Sequence, residues 1–371
     1  MKIGYVFFMS DAEQKKGKAS GIQKKARWQI AAYEKSGIEV EFLPEKSVRK
    51  WKKALPFETA SLSWKNVERK LNGLDGVHIR YASADYQMIR CLKKVKQKNP
   101  KFKVLLEIPT YPYDAEKRNL NRKQRLLYRK DLRWRKHLYK VVDRALTFGE
   151  DDVIFSIPTI KTINGIDVDS VNVRKPFYNG DSLNICVMAD FHFWHGTDRL
   201  IKGIGKYYEL GGDRNIFVHL IGEGSVAYMS ELEKLIDQSG QKKRFYLHGL
   251  LSGEELDRIF NQCQLAISGL GSHRKGIMTS SALKTRDYLA RGIPFVESVS
   301  VDVFLTDPQD FFMQVEASEE PLDINKLLDF HDGLMDRYTE KELIDRIRSF
   351  AKDKIDMDVT MSGAVKFFQE I

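Results

Sequence analysis

GSHRKGIMTSSALKTRDYLARGIPFV, residues 271 to 296, lies between two apolar runs, and its reading decides the fold. Leu265-Ala266-Ile267 precedes it and closes in Ser268-Gly269-Leu270-Gly271. A helical pattern then runs to Gly292, after which Ile293-Pro294-Phe295-Val296 reads as another strand. Strand, loop, helix, strand is the repeating unit of a parallel sheet. The helix start in such a unit turns unpaired N–H groups and a partial positive charge toward the loop, a natural anion site. Arg274 and Lys275 add two positive charges there, while Gly269, Gly271 and Gly276 let backbone come close to a ligand. On helical spacing Ser280, Lys284 and Asp287 fall at i, i+4 and i+7 and share one face, with Asp287 placed to accept from paired hydroxyls such as those of a ribose. A nucleotide suits this arrangement. The plainer alternative leaves Arg274 and Lys275 as solvated loop charges and pairs Asp287 with Lys284 or Arg291.

Outward from this stretch the same alternation fills the chain. Toward the start, strand-length runs Ile3 to Phe8, Val40 to Leu43, Val77 to Tyr81 and Val104 to Ile108 alternate with helical patterns at 21–35, 64–71 and 86–96. Short strands are expected at Ala145 to Phe148 and Thr159 to Ile163. From Ile185 the alternation repeats through Phe217 to Ile221 and Arg244 to Leu247, with helices at 197–209, 226–238 and 253–262. Such alternation predicts an α/β protein with doubly wound parallel sheets, whose ligands bind at the carboxyl ends of the strands. At 371 residues the chain exceeds what one core fills. The turn-rich stretch from Lys175 to Ser182 is the expected linker, giving an N-terminal domain over 1–175 and a second over 183–350. Amphipathic helical patterns close the chain, around Leu343 to Ala351 and Met361 to Phe368.

Apolar residues make up 42% of the chain, and no run approaches the roughly 20 residues of a membrane span. The apolar start is too short for a secretory signal, so a cytoplasmic protein is expected. Cys91, Cys186 and Cys263 are widely spaced and odd in number, indicating neither disulfides nor a zinc site, and no metal is expected. A net charge of +10 points to an acidic partner. Residues 117–142, KRNLNRKQRLLYRKDLRWRKHLYKVV, carry the strongest bias: Arg118, Arg122, Arg125, Arg129, Arg133, Lys136 and Lys140 form a stripe opposite Leu127, Trp134, Leu138, Val141 and Val142. This suits an anionic membrane surface, at roughly 1 kcal/mol per cation. A solvated face and nucleic-acid phosphates are the alternatives, and no nucleic-acid motif accompanies the stripe.

The loop, helix, carboxylate and Ala290-Arg291-Gly292-Ile293-Pro294 together resemble the signature of retaining glycosyltransferases of family 4, where two glutamates eight positions apart precede a small-x-Gly-x-Pro stretch. The resemblance spans nearly the whole chain. It implies a GT-B fold, two Rossmann-like doubly wound domains facing a central cleft, with a last helix over 351–371 crossing back to the first domain. Asp287 takes the place of the second glutamate, which in the family holds the donor ribose; Thr279 stands in the place of the first, beside the transferred sugar. Gly222-Glu223-Gly224 is similar to the family's G-[DE]-G turn, and His248-Gly249 to the loop whose backbone contacts the base. His195 stands where many members carry a lysine for the donor diphosphate, and the companion arginine's place holds no basic residue. The implied donor site comprises His195, Gly222 to Gly224, His248, Gly249, Arg274, Lys275, Gly276, Ser280, Leu283, Lys284 and Asp287. Gly21, which ends the basic loop Lys15 to Ser20, is assigned to donor phosphate and acceptor. Tyr111 and Tyr113, in the loop after Glu107, offer ring faces to an acceptor sugar, and Glu107 is the candidate base for its hydroxyl. The resemblance thus implies transfer of a sugar, with retention, from a UDP- or GDP-linked donor to a glycan or polyprenyl-linked acceptor, as in capsule, exopolysaccharide or O-antigen synthesis. No separate cofactor is implied, nor a nucleic-acid partner, and the enzyme is expected at the inner face of the cell membrane. A GT-B scaffold that binds a partner without catalysing transfer is the alternative reading.

Overall fold

The computed structural model describes residues 1–9, 21–46, 63–109, 111, 122–177 and 182–370. They form two compact units, one of residues Met1–Gly165 and Met357–Ile371, the other of Ile166–Asp356.

The first unit is built on strands β1 (Lys2–Met9), β2 (Glu39–Lys46), β3 (Gly76–Arg80), β4 (Lys103–Ile108), β5 (Arg144–Thr147), β6 (Val153–Ile154) and β7 (Ile157–Lys161), in spatial order β2-β1-β3-β4-β5-β7-β6. All pair in parallel except β6 with β7. Alternate residues serve the two faces. Val6 and Val77 pack with helices α2 (Trp64–Lys70) and α3 (Tyr86–Lys98) through Val67, Leu92 and Val95. Ile3, Tyr5 and Phe7 face the other way, onto Ala26 and Tyr33 of α1 (Gly21–Lys35). That second face is completed by Met361, Ala364 and Phe368 from residues 357–370. The basic stretch contributes α4 (Arg122–Arg135), which rests Trp134 on the core and keeps Arg125, Arg129 and Arg133 exposed, and Lys136 and Lys140 beyond its end are exposed too. Residues 15–20, 110, 112–114 and 117–121 lie outside the described residues, and so do Tyr113 and Arg118.

The second unit has strands β8 (Leu183–Met188), β9 (Ile216–Ile221), β10 (Phe245–Gly249), β11 (Leu265–Ile267), β13 (Phe295–Glu297) and β15 (Phe312–Gln314), in spatial order β10-β9-β8-β11-β13-β15 and parallel throughout. Between them run α5 (Thr197–Glu209), α6 (Val226–Gln238), α7 (Glu254–Phe260) and α8 (Leu283–Arg291), followed by α9 (Ile324–Met335) and α10 (Glu340–Ile355). A separate two-stranded piece pairs β12 (Thr279–Ser280) with β14 (Ser300–Val301).

Two expectations change here. The division falls at Gly165, not beyond Lys175, because residues 166–174 are bound into the second unit. Arg174 donates its backbone N–H to Arg291 O at 3.0 Å and its buried guanidinium to Gly292 O and Glu340. The opening stretch also does not form one long helix. Ser272–Lys275 is a short 3-10 turn closed by Gly276 in the left-handed region, and Thr279 and Ser280 pair with β14, so α8 begins only at Leu283. Ser280 therefore does not share a helix face with Lys284 and Asp287.

Candidate functional site

In the second sheet the strand order reverses between β8 and β11, and the loops leaving those two strands meet at this switch point, where α/β sheets bind ligands. Leu270 donates its N–H to His195 O at 2.9 Å. Gly196 and Gly271 lie back to back: a Cβ on Gly196 would stand 2.5 Å from Gly271 N. Only two glycines permit that approach.

The loop after β9 is tied to its neighbours in the same manner. Gly222, at φ 131°, would place a Cβ 1.8 Å from Ala189 O, and Gly224 would place one 2.5 Å from Phe191 O. Phe191 N–H donates to Glu223 O, and Gly222 N–H donates to Gly249 O at 2.8 Å. Gly222, Glu223, Gly224 and Gly249 thus knit three adjacent loops at the strand ends. His248 faces His219 on β9, their Nε2 and Nδ1 2.9 Å apart, and burial pushes His219 down to about 4.

Helix α8 opens toward the same edge. Its N-cap is Ala282, whose methyl supplies no side-chain cap to the first-turn N–H groups. Lys284 sits in that first turn with its Nζ buried and without a hydrogen-bond partner. Burial pushes its ammonium down to about 8, against the pull of Glu297. Glu297 ends β13 at 1% exposure, its carboxyl pushed up chiefly by burial, with Oε2 also lacking a partner. The hydroxyls of Ser280 and Ser268 stand beside it, and Ser268 Oγ and Thr197 Oγ1 are further buried atoms without a partner. His195 is held neutral, down to about 3, by burial and by Lys284, His192 and Lys275 nearby.

The remaining cations are occupied differently from expectation. Arg274 grips Asp198 of α5 at 2.8 and 3.0 Å and Glu319 at 2.6 and 3.0 Å, and donates to Phe193 O. Two carboxylates offset its charge, so it fastens loops instead of offering a free cation to a diphosphate. Lys275 is exposed and lies 4.5 Å above the Trp194 ring, which stacks on His192. Asp287 accepts from Arg291 one turn on, and Arg291 also donates to Asp257 at 2.6 Å. This is the plainer pairing considered above, and its second oxygen is left for other donors. Thr279 is exposed, and Leu283 is half-buried at the helix start.

No protein-family model matches the chain, and no curated protein matches it. Solved structures do, over its whole length. Sucrose-phosphate synthase from Thermosynechococcus elongatus is similar at 12% identity and TM-score 0.62, covering 98% of each chain. A glycosyltransferase from Rickettsia africae is similar at 10% identity and TM-score 0.65, covering 99% of this chain and 97% of that one. HepE of Anabaena, in complex with UDP and glucose, is similar at 10% identity and TM-score 0.62, covering all of both chains. The fold is that of the GT-B glycosyltransferases.

The first unit holds the other expected residues, and there the structure corrects one role. Glu107, at the end of β4, is fully buried. Its carboxylate takes Lys25 Nζ at 3.3 Å, Gln29 Nε2 at 2.8 Å, His78 Nε2 at 3.3 Å and a charge-assisted bond from Arg80. Although burial opposes it, Lys25, Arg80 and His78 hold this carboxyl well below its usual range. A carboxylate so enclosed and so acidic does not take a proton from an acceptor hydroxyl; it neutralises buried Lys25 and part-buried Arg80. Gly21 is the exposed first residue of α1. Tyr111 packs edge-on to Phe155 at 5.8 Å, against the core.

Glu297 went unseen in the sequence because it ends an apolar strand and reads as its polar terminus. Its only signal was a carboxylate directly following the apolar pair Phe295-Val296.

Among the described residues no group of three or more His, Cys, Asp or Glu could hold a metal ion, and no helix is long and apolar enough to cross a membrane.

Proposed function

We propose that the protein is a nucleotide-sugar-dependent glycosyltransferase that moves a sugar, with retention of configuration, to a glycan or lipid-linked acceptor in bacterial surface-polysaccharide synthesis. One observation carries the reading: full-length similarity to HepE, solved with UDP and glucose and also with UDP-glucose, combined with an uncapped helix start at the switch point of the second sheet. In this reading the donor diphosphate lies against the first turn of α8, where backbone N–H groups, Lys275 and the loop glycines 271 and 276 face it. The ribose hydroxyls donate to the free oxygen of Asp287, which Arg291 orients. His248 and Gly249 border the base, and uridine is the first base to try.

The test is a thermal-shift panel of UDP, GDP, ADP, CMP and their sugar conjugates, followed by assay of nucleotide release. A nucleotide at about 100 times its Kd adds roughly 2.7 kcal/mol, enough to raise a melting midpoint by a few degrees. A selective shift that disappears in Asp287→Ala is the expected result. Absence of any shift in the folded protein removes the donor site. The second reading, a partner-binding scaffold without transfer, draws on Arg274 being neutralised by Asp198 and Glu319. Turnover of any donor excludes it.

We also infer that α4 lies on an anionic membrane surface. Its exposed Arg125, Arg129 and Arg133, followed by Lys136 and Lys140 just after the helix, are accompanied by Leu126 and Tyr139, about half exposed. Sedimentation with phosphatidylglycerol vesicles should fall on neutralising Arg125, Arg129 and Arg133; unchanged binding argues against it.

A further inference from the structure

Thr279 occupies the position at which a carboxylate was expected beside the transferred sugar, and a hydroxyl cannot carry a carboxylate's share of hydrogen bonds. A carboxylate stands close by nonetheless. Glu297 ends β13 two residues before Val299 and three before Ser300, the residue that pairs with Thr279 across β12 and β14. Ser280, next to Thr279, has its hydroxyl beside the Glu297 carboxyl. We propose that Glu297 and Lys284 together hold two neighbouring hydroxyls of the donor sugar, taking over the work that Thr279 cannot do. This rests on the glycosyltransferase reading above and assigns its sugar subsite.

Glu297 Oε2 and Lys284 Nζ are buried and unpartnered, in one region of the second unit. Buried polar groups almost always find partners, so a cluster of vacant ones marks a place where a ligand supplies them. Glu297 and Lys284 influence one another electrostatically, yet no hydrogen bond joins them. Gly269 keeps the approach to the carboxylate open: a Cβ there would stand 3.3 Å from Glu297 Oε1 and 2.7 Å from Ser272 Oγ.

Charge selects the class of ligand. A phosphate drawn to Lys284 would meet the Glu297 carboxylate, which opposes it by a comparable amount at comparable distance. A free ammonium ligand would meet Lys284. A neutral diol suits both, one hydroxyl donating to Oε2 and its neighbour accepting from Nζ, which is how opposed polar groups recognise a sugar without excess charge. His195 lies close to Lys284, with His192 and Lys275 near it in turn, and Arg286 acts on Glu297 from α8. With His195 neutral, the nearby charge available to a diphosphate is that of Lys275 and the helix start, which leaves Lys284 to the sugar.

Calorimetry on the full chain with UDP-glucose and with UDP tests this, with GDP-mannose and GDP as the second pair. Glu297→Ala and Lys284→Met should each weaken the nucleotide sugar about tenfold or more, the usual size for a lost bond to a charged group, and leave the nucleoside diphosphate within about threefold. Each single change strands one buried charge, so the double variant Lys284→Met/Glu297→Gln, which removes both, serves if the singles do not fold. Equal loss of UDP and UDP-glucose in Lys284→Met would give Lys284 to the phosphates and overturn the proposal, as would tighter UDP binding in Glu297→Ala or no change in any variant. Failure of the wild type to bind any of the four compounds would instead sink the glycosyltransferase reading itself.

Discussion

Glu107 is a residue whose chemistry is decided by its surroundings. An isolated carboxyl at the end of a strand is a plausible base; one ringed by Lys25, Arg80, His78 and Gln29 is a counter-ion. Removing it strands buried Lys25 and part-buried Arg80 without their counter-ion. Glu107→Gln should therefore lower stability by about 3–5 kcal/mol, read as a reduced urea midpoint, well beyond the effect of a surface change. Little loss of stability together with a specific loss of turnover would restore the catalytic role. The acid limb carries the same logic. His219 is pushed down to about 4, so the unfolded chain binds more protons than the folded one between pH 6.5 and about 4, and stability falls as pH drops through that window. Glu107, depressed by its cations, contributes fully above the ordinary carboxyl range and loses that contribution at still lower pH. Replacing His219 by Asn should flatten the first part of the melting-temperature profile; an unchanged slope between pH 6.5 and 4.5 would contradict the assignment.

At the scale of elements, the glycines at the strand ends divide into two kinds. Gly276, at φ 70°, has nothing near its absent Cβ, and alanine there should cost about 1–2 kcal/mol for the left-handed backbone alone. Gly196, at φ 69°, and Gly222 press against backbone as well, so alanine should cost clearly more at either, and a thermal-melt ranking with Gly276→Ala mildest is the expected order. The same elements show what a sequence discloses. Periodicity found α8 and β13, because apolar residues alone mark which segments are buried. It misplaced the start of the helix, since pairing of Thr279 and Ser280 with a strand 21 positions later is a tertiary contact that outweighs local pattern. Asp287 was placed on the right helix, but its partner Arg291 was only one of two candidates. Arg274 looked free because Glu319, one of its two clamps, lies far along the chain. Glu297 was hidden for the opposite reason: burial, not its own type or spacing, gives it interest.

On the whole-molecule scale, the two units draw on the chain differently. The second is one continuous segment, Ile166–Asp356, whereas the first needs Met357–Ile371 in addition to its first 165 residues. Phe368 is fully buried against the β1 side of the first sheet, with Tyr33 edge-on at 5.6 Å. Phe368→Ala should cost about 3–5 kcal/mol and should act on the first unit. Limited proteolysis should then cut within residues 1–165 while a fragment of the second unit persists; equal susceptibility of both would contradict this division.

That division sets an order of events during synthesis. A chain emerging from the ribosome presents its N-terminal portion first, and domains generally fold as they appear. Here the segment made first cannot close its hydrophobic face, because Met361, Ala364 and Phe368 have not yet been translated when Asp356 is added. The segment made in the middle has everything it needs. The latter half therefore completes its fold ahead of the earlier one, and through that interval Ile3, Tyr5 and Phe7 wait on a surface that a chaperone would recognise.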